Sequence, residues 1–122
     1  MKRTSKEMPR GVVIYSRCNP HADNVEISNS AQEEACRNMA VGLGYEVLAA
    51  FRDTGSDKDE SREGLDELTR FWLQNLGQVV AIIVLDTSRL TSDIFEFTEM
   101  QQKLSGNGIA IIVVDSNEDN AI

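Results

Sequence analysis

The sequence predicts an α/β fold, a parallel sheet with helices on both faces, in the order β-α-β-α-β-α-β. Three observations carry that reading. Apolar runs near residues 11–18, 78–85 and 109–114 lack the alternation of a half-solvated strand, as strands covered on both sides do. Amphipathic stretches with helical spacing separate the strands. Capping residues and glycines punctuate the boundaries.

Taken in order, the β-branched run 11–18 is the first strand, closed by Asn19-Pro20, and residues 19–29 read as a polar loop. Ser30-Ala31-Gln32-Glu33 has the form of a capping box and predicts a helix start. That helix carries Cys36, Met39, Ala40 and Leu43 on one face and stops at Gly44. Tyr45 to Phe51 reads as the second strand, followed by a charged, turn-rich stretch from Asp53 to Glu63. A second helix begins at Gly64 or Leu65, with Leu65, Leu68, Phe71, Trp72 and Leu76 at helical spacing. The aliphatic run 78–85 is the third strand. Thr91-Ser92-Asp93 offers N-caps for a third helix through Leu104, closed by Gly106-Asn107-Gly108. Residues 109–114 form the fourth strand, and a polar tail follows.

At 122 residues and 41% hydrophobic content, the chain is expected to be one domain with its own core. Its expected limits are a basic N-terminus over 1–10, the α/β domain over 11–116 and the tail over 117–122. No apolar run has the length of a membrane helix, so no membrane partner is expected. The basic start lacks the apolar segment of a secretory signal. Cys18 and Cys36 have no metal-like spacing, so free thiols in a reducing cytoplasm are expected rather than a disulfide. The net charge of −8 argues against tight autonomous binding to DNA, which favours a basic face.

Chemistry on such sheets gathers at the carboxyl ends of the strands, which directs attention to the loops after the first three. Arg17, Arg62 and Arg89 fall at or near those loops. Arginine suits phosphate because its planar, permanently charged fork donates paired hydrogen bonds. Taken singly, each reads first as a solvated charge or the partner of a nearby carboxylate. His21, the only histidine, lies in a polar loop and reads as solvent-exposed, and Trp72 reads as core or as part of a helix interface. Asp53 and Asp86 do not make a phosphoacceptor pocket, because Arg17-Cys18-Asn19 stands where that pocket needs an acidic pair.

Tyr15-Ser16-Arg17-Cys18-Asn19 resembles the Tyr-x-Arg-x-Ser of the serine recombinases, the resolvase/invertase family. Ser28 to Gln32 is similar to that family's Ser-x-x-x-Gln motif. Asp53-Thr54-Gly55-Ser56 and Arg62-Glu63-Gly64-Leu65 are similar to its Asp-x-Gly-x-Ser-Gly and Arg-Pro-Gly-Leu segments. Arg89-Leu90-Thr91 resembles part of Asp-Arg-Leu-Ser-Arg. The correspondences run in order over residues 11–116. They imply a three-layer resolvase-like fold and association with DNA recombination. They also imply a phosphate clamp of Arg17, Arg62 and Arg89, supported by Gln32, Asp53, Ser88 and Ser92, with no metal or cofactor.

The departures are as specific as the matches. Asn19 stands at the nucleophile position, and a carboxamide has no oxygen that can attack a phosphate and later leave. Ser88 replaces the aspartate before the central arginine, Ser92 replaces the following arginine, and Glu63 replaces a proline. The resemblance therefore implies a domain that has lost cleavage and acts as a regulatory or binding module. Its implied partners are DNA, held weakly and with salt dependence, an intact serine recombinase, and further copies of the chain. The alternatives are an active recombinase fragment with a displaced nucleophile and a protein-interaction domain only. Ser16 alternates with Arg17 on its strand and so faces away from it, while Ser28 and Ser30 read as helix-cap residues. Family members continue into a long helix and a DNA-binding region. A sequence ending at Ile122 fits both a piece of a longer protein and a stand-alone domain.

Overall fold

A computed structural model describes residues 10–19, 27–55 and 62–115. Four parallel strands form one sheet: β1 (Gly11–Cys18), β2 (Glu46–Thr54), β3 (Val79–Val84) and β4 (Ala110–Val113), ordered β2-β1-β3-β4. The helices are α1 (Asn29–Leu43), α2 (Glu63–Gln74) and α3 (Ile94–Ser105). A 3-10 turn, Thr87–Arg89, lies between β3 and α3 and is an addition to the expected elements.

The strand order fixes the layers. The chain steps from β1 outward to β2, then crosses back past β1 to β3 and on to β4. Right-handed crossovers in opposite directions put the connecting helices on opposite faces. The core divides accordingly. Val12, Ile14, Ala81 and Ile83 meet Cys36 and Ala40 of α1 on one face. On the other face Val13, Tyr15, Ile82 and Val84 meet Leu68 and Trp72 of α2 and Leu104 of α3. Burial of the non-alternating strands on both sides thus builds the expected three-layer α/β domain. The direction reverses between β1 and β3, so a crevice forms where their carboxyl ends diverge.

Local chemistry moves several boundaries. The N-cap of α1 is Ser28, whose Oγ accepts from the Ala31 N–H at 3.1 Å, two residues ahead of the expected Ser30. Burial of Gln32, Cys36 and Ala40 sets this phase, and Ser30 becomes an exposed first-turn residue. Glu33 pairs with Arg52 at 3.2 Å and Arg37 at 3.8 Å. Gly44 ends the helix in the left-handed region at φ 80°, where a side chain is disfavoured. Leu43 is exposed rather than packed, and so is Leu76, because α2 has already ended at Gln74. Asp93 is the cap of α3, accepting from the Phe95 and Glu96 N–H groups at 2.8 and 3.3 Å.

Both cysteines are free thiols, Cys18 half-buried and Cys36 fully buried. Burial pushes the Cys36 thiol up to about 12, with the Glu33 carboxylate adding to the effect. Among the described residues no helix is long and apolar enough to cross a membrane. The N-terminus as far as residue 9, His21, Ser56 and the tail 117–122 lie outside the described residues.

Candidate functional site

The crevice at the carboxyl ends of β1 and β3 gathers all three arginines. Arg17 leaves the last turn of β1 on the face that carries Val13 and Tyr15, and is 7% exposed. Its Nη2 donates to the Ser88 carbonyl at 2.7 Å, its Nε to the Arg89 carbonyl at 3.1 Å and its Nη1 to the Gly55 carbonyl at 3.4 Å. Arg62, just ahead of α2, donates through Nη1 to the Leu90 carbonyl at 2.6 Å and through Nη2 to the Arg89 carbonyl at 2.8 Å. One carbonyl oxygen, that of Arg89, is therefore shared by two guanidinium groups. Arg89 reaches back across the crevice, its Nη1 donating to the Arg17 carbonyl at 3.0 Å.

Each arginine is held from behind. Gln32 is fully buried on α1 and pairs with the Arg17 backbone in both directions. Its Oε1 accepts the Arg17 N–H at 3.2 Å, and its Nε2 donates to the Arg17 carbonyl at 2.9 Å and to that of Ile27 at 2.8 Å. This fixes the end of β1 against the start of α1. Its supporting part is thus backbone anchorage.

Asp53, near the end of β2, accepts the Gly64 N–H on Oδ1 at 2.8 Å and the Leu65 N–H on Oδ2 at 2.9 Å. A carboxylate from the neighbouring strand thus satisfies donors that α2's first turn leaves open, favoured by the helix dipole. Asp53 Oδ2 also accepts from the Tyr15 hydroxyl at 2.7 Å, and that hydroxyl accepts from Arg62 Nη2 at 2.7 Å. The Arg62 guanidinium lies 5.6 Å from the centre of the Tyr15 ring. Burial raises the Tyr15 phenol well above its ordinary value; the Asp53 hydrogen bond adds to this and Arg62 opposes it. Tyr15 consequently stays protonated and links Asp53 to Arg62.

The third loop carries its own carboxylate. Asp86 caps the 3-10 turn, accepting on Oδ1 from the Ser88 N–H at 3.1 Å and from the Ser88 hydroxyl. Its Oδ2 lies 3.3 Å from Arg89 Nε, a close ion pair rather than an aligned hydrogen bond. Ser88 and Ser92 are both exposed, and Asn19 follows directly on β1, half-buried. Among the described residues, the carboxylates of Asp53 and Asp86 lie in this arginine network. Among the described residues the crevice thus brings three cationic side chains together with these two carboxylates, in a chain whose net charge is −8. Such an arrangement has the charge and the forked donors that suit an anion, which must draw those donors from the carbonyls they engage.

Among the described residues, Ser16, Ser28 and Ser88 are placed elsewhere or engaged. Ser16 is fully buried, and the alternation of β1 puts it on the α1 face with Val12 and Ile14. Ser28 caps α1 and the Ser88 hydroxyl donates to Asp86. Among the described residues no group of three or more His, Cys, Asp or Glu side chains could hold a metal ion.

Tyr15, Asp86 and the carbonyls of residues 88–90 were not assigned parts in the site by sequence reasoning. Tyr15 stands within the first motif and could have been read from it. Backbone carbonyls leave no trace in a sequence.

The family model for the resolvase N-terminal domain matches residues 12–121. No curated protein matches. Among solved structures, the C-terminal catalytic domain of ISC1926 TnpA, an IS607-like serine recombinase, is similar with a TM-score of 0.71 and 25% identity, covering 84% of this chain and 69% of that one. The N-terminal catalytic domain of TP901-1 integrase is similar in fold, with a TM-score of 0.72 and 20% identity over 86% of this chain and 77% of that one. So is the product of the first reading frame in transposon ISC1904 from Sulfolobus solfataricus P2, with a TM-score of 0.66 and 21% identity over 86% and 67%.

Proposed function

From the chain's membership of the resolvase N-terminal-domain family, which residues 12–121 establish, we propose a serine-recombinase-type domain that does not itself cleave DNA. It acts as a regulatory or binding module in DNA recombination. The observation that carries this reading is the guanidinium cluster of Arg17, Arg62 and Arg89 beside a strand end followed by Asn19 rather than a serine. The cluster supplies charge complementary to one DNA phosphate. Asn19 supplies no atom able to form and then release a phosphoester.

Several donors of Arg17 and Arg62 already engage the carbonyls of residues 88–90, so a phosphate must compete with them. Affinity is therefore weak, the acidic surface lowers it further, and it falls as salt is added. The chain works in the cytoplasm and engages an intact recombinase, or another copy of itself, through the shared fold. A displaced nucleophile gains no support from Ser16, Ser28 or Ser88, whose surroundings commit them to other work.

Restoring Asn19→Ser, Ser88→Asp and Ser92→Arg together, on a fusion to a DNA-binding domain, is expected to yield a protein–DNA phosphoserine adduct at residue 19. The unrestored fusion is expected to yield none. Intact-mass measurement after incubation with target duplex reads both. An adduct on the unrestored protein refutes the reading, and its absence from the restored one removes the inherited site.

A further inference from the structure

We propose that Asp86 is the positioning residue for Arg89, supplying from position 86 the carboxylate that the family motif carries at the position of Ser88. The functional consequence rests on the phosphate reading above; the positioning itself rests on geometry alone. Asp86 divides its two oxygens between neighbours. Oδ1 takes the backbone N–H and the hydroxyl of Ser88, and Oδ2 faces Arg89 Nε at 3.3 Å. The Asp86 carbonyl accepts the Arg89 N–H at 3.2 Å, which winds the turn and brings residue 89 back over residue 86.

Arg89 is thereby gripped on both sides of its guanidinium by described residues. Asp86 holds its Nε side, and the Arg17 carbonyl receives Nη1 at 3.0 Å. The Arg89 side chain is only 11% exposed, while that of Asp86 is 29% exposed. A carboxylate is the natural partner for fixing a guanidinium, because charge and planar geometry are matched together. The serine at 88 belongs to the same device, since its hydroxyl anchors the carboxylate that its own position lacks. The loss of the motif aspartate and the presence of Asp86 two residues earlier then become one exchange.

A simpler part for Asp86 is capping of the 3-10 turn. Asp86→Asn separates the two, because asparagine keeps a capping oxygen but loses the charge and turns an amide toward the guanidinium. The readout is the Arg89 Nε–Hε signal in nitrogen-15-labelled protein, alone and titrated with a short DNA duplex at low salt. In Asp86→Asn, solvent exchange of that proton is expected to rise about tenfold. DNA affinity is expected to fall about tenfold, to the level of Arg89→Ala, as loss of a charged partner implies. Asp86→Asn with Ser88→Asp is expected to restore both, and Asp86→Ser, which also caps, serves if the asparagine variant does not fold.

An unchanged Arg89 signal in the charge-removed variant overturns the proposal. A loss that Ser88→Asp does not restore overturns the exchange between positions 86 and 88. If the wild-type protein binds no DNA, the phosphate reading fails, and the Arg89 signal still decides whether Asp86 positions it.

Discussion

Gly64→Ala is expected to destabilise the protein by about 3 kcal/mol, at the upper end for forcing atoms into a closed space. A Cβ at residue 64 would lie 2.8 Å from the Arg52 carbonyl carbon and 3.1 Å from Asp53 Cγ, with the Arg52 carbonyl oxygen nearer still. The obstacle is the backbone of β2, which has no rotamer with which to give way. The closeness has a structural counterpart, for a first turn pressed against β2 lets Asp53 bond to both Gly64 and Leu65. Gly42→Ala, inside α1 with nothing within 4 Å of the added carbon, is the matched control. There alanine is expected to be neutral or to stabilise by up to about 1 kcal/mol through helix propensity. Urea denaturation of the two variants should give opposite or strongly unequal shifts. Thermal melting of Gly64→Ala should fall by roughly 10 °C. Equal midpoints for the two would mean that α2 is not seated as described.

Asp53→Ala is expected to cost a similar amount, about 3 kcal/mol, for a different reason. Three donors lose their acceptor at once: two backbone N–H groups of α2 and the Tyr15 hydroxyl. Orphaning one buried donor costs on the order of 1–3 kcal/mol, and partial solvent access keeps the total below a simple sum. The loss should also reach Arg62, whose Nη2 donates to the Tyr15 hydroxyl that Asp53 orients. Tyr15→Phe separates the two effects. It leaves the cap of α2 intact, so its stability loss should be about 1 kcal/mol. Both variants should shift the Arg62 side-chain signal. If Asp53→Ala leaves stability and that signal unchanged, Asp53 is not the post on which α2 and Arg62 are hung.

These two residues show how far the sequence could be read. The layers were legible because unalternating strands and amphipathic helices obey burial alone, and the observed strand order β2-β1-β3-β4 is one solution of that pattern. The convergence of Arg17, Arg62 and Arg89 was legible because a parallel sheet brings loop ends to one edge. What they touch was not. Arg17 and the 88–89 carbonyls are more than 70 positions apart in sequence, and a carbonyl acceptor belongs to every residue type alike. The cap of α1 was displaced by two residues because Ser28 and Ser30 are equivalent locally, and only the burial of Gln32 decides between them. Asp86 lay outside the motif position that drew attention to Ser88. Its role depends on a tight turn that three residues, Thr87–Arg89, do not announce.

The most direct measurement is an NMR titration of labelled protein with a short DNA duplex at low salt, repeated on Arg89→Ala. The expected result is saturable shifts of the Arg17, Arg62 and Arg89 signals that weaken with added salt, and an affinity about tenfold lower in the variant, read from the Arg17 and Arg62 signals. Absent shifts, or diffuse shifts that Arg89→Ala leaves unchanged, would contradict a phosphate-binding cluster beside Asn19.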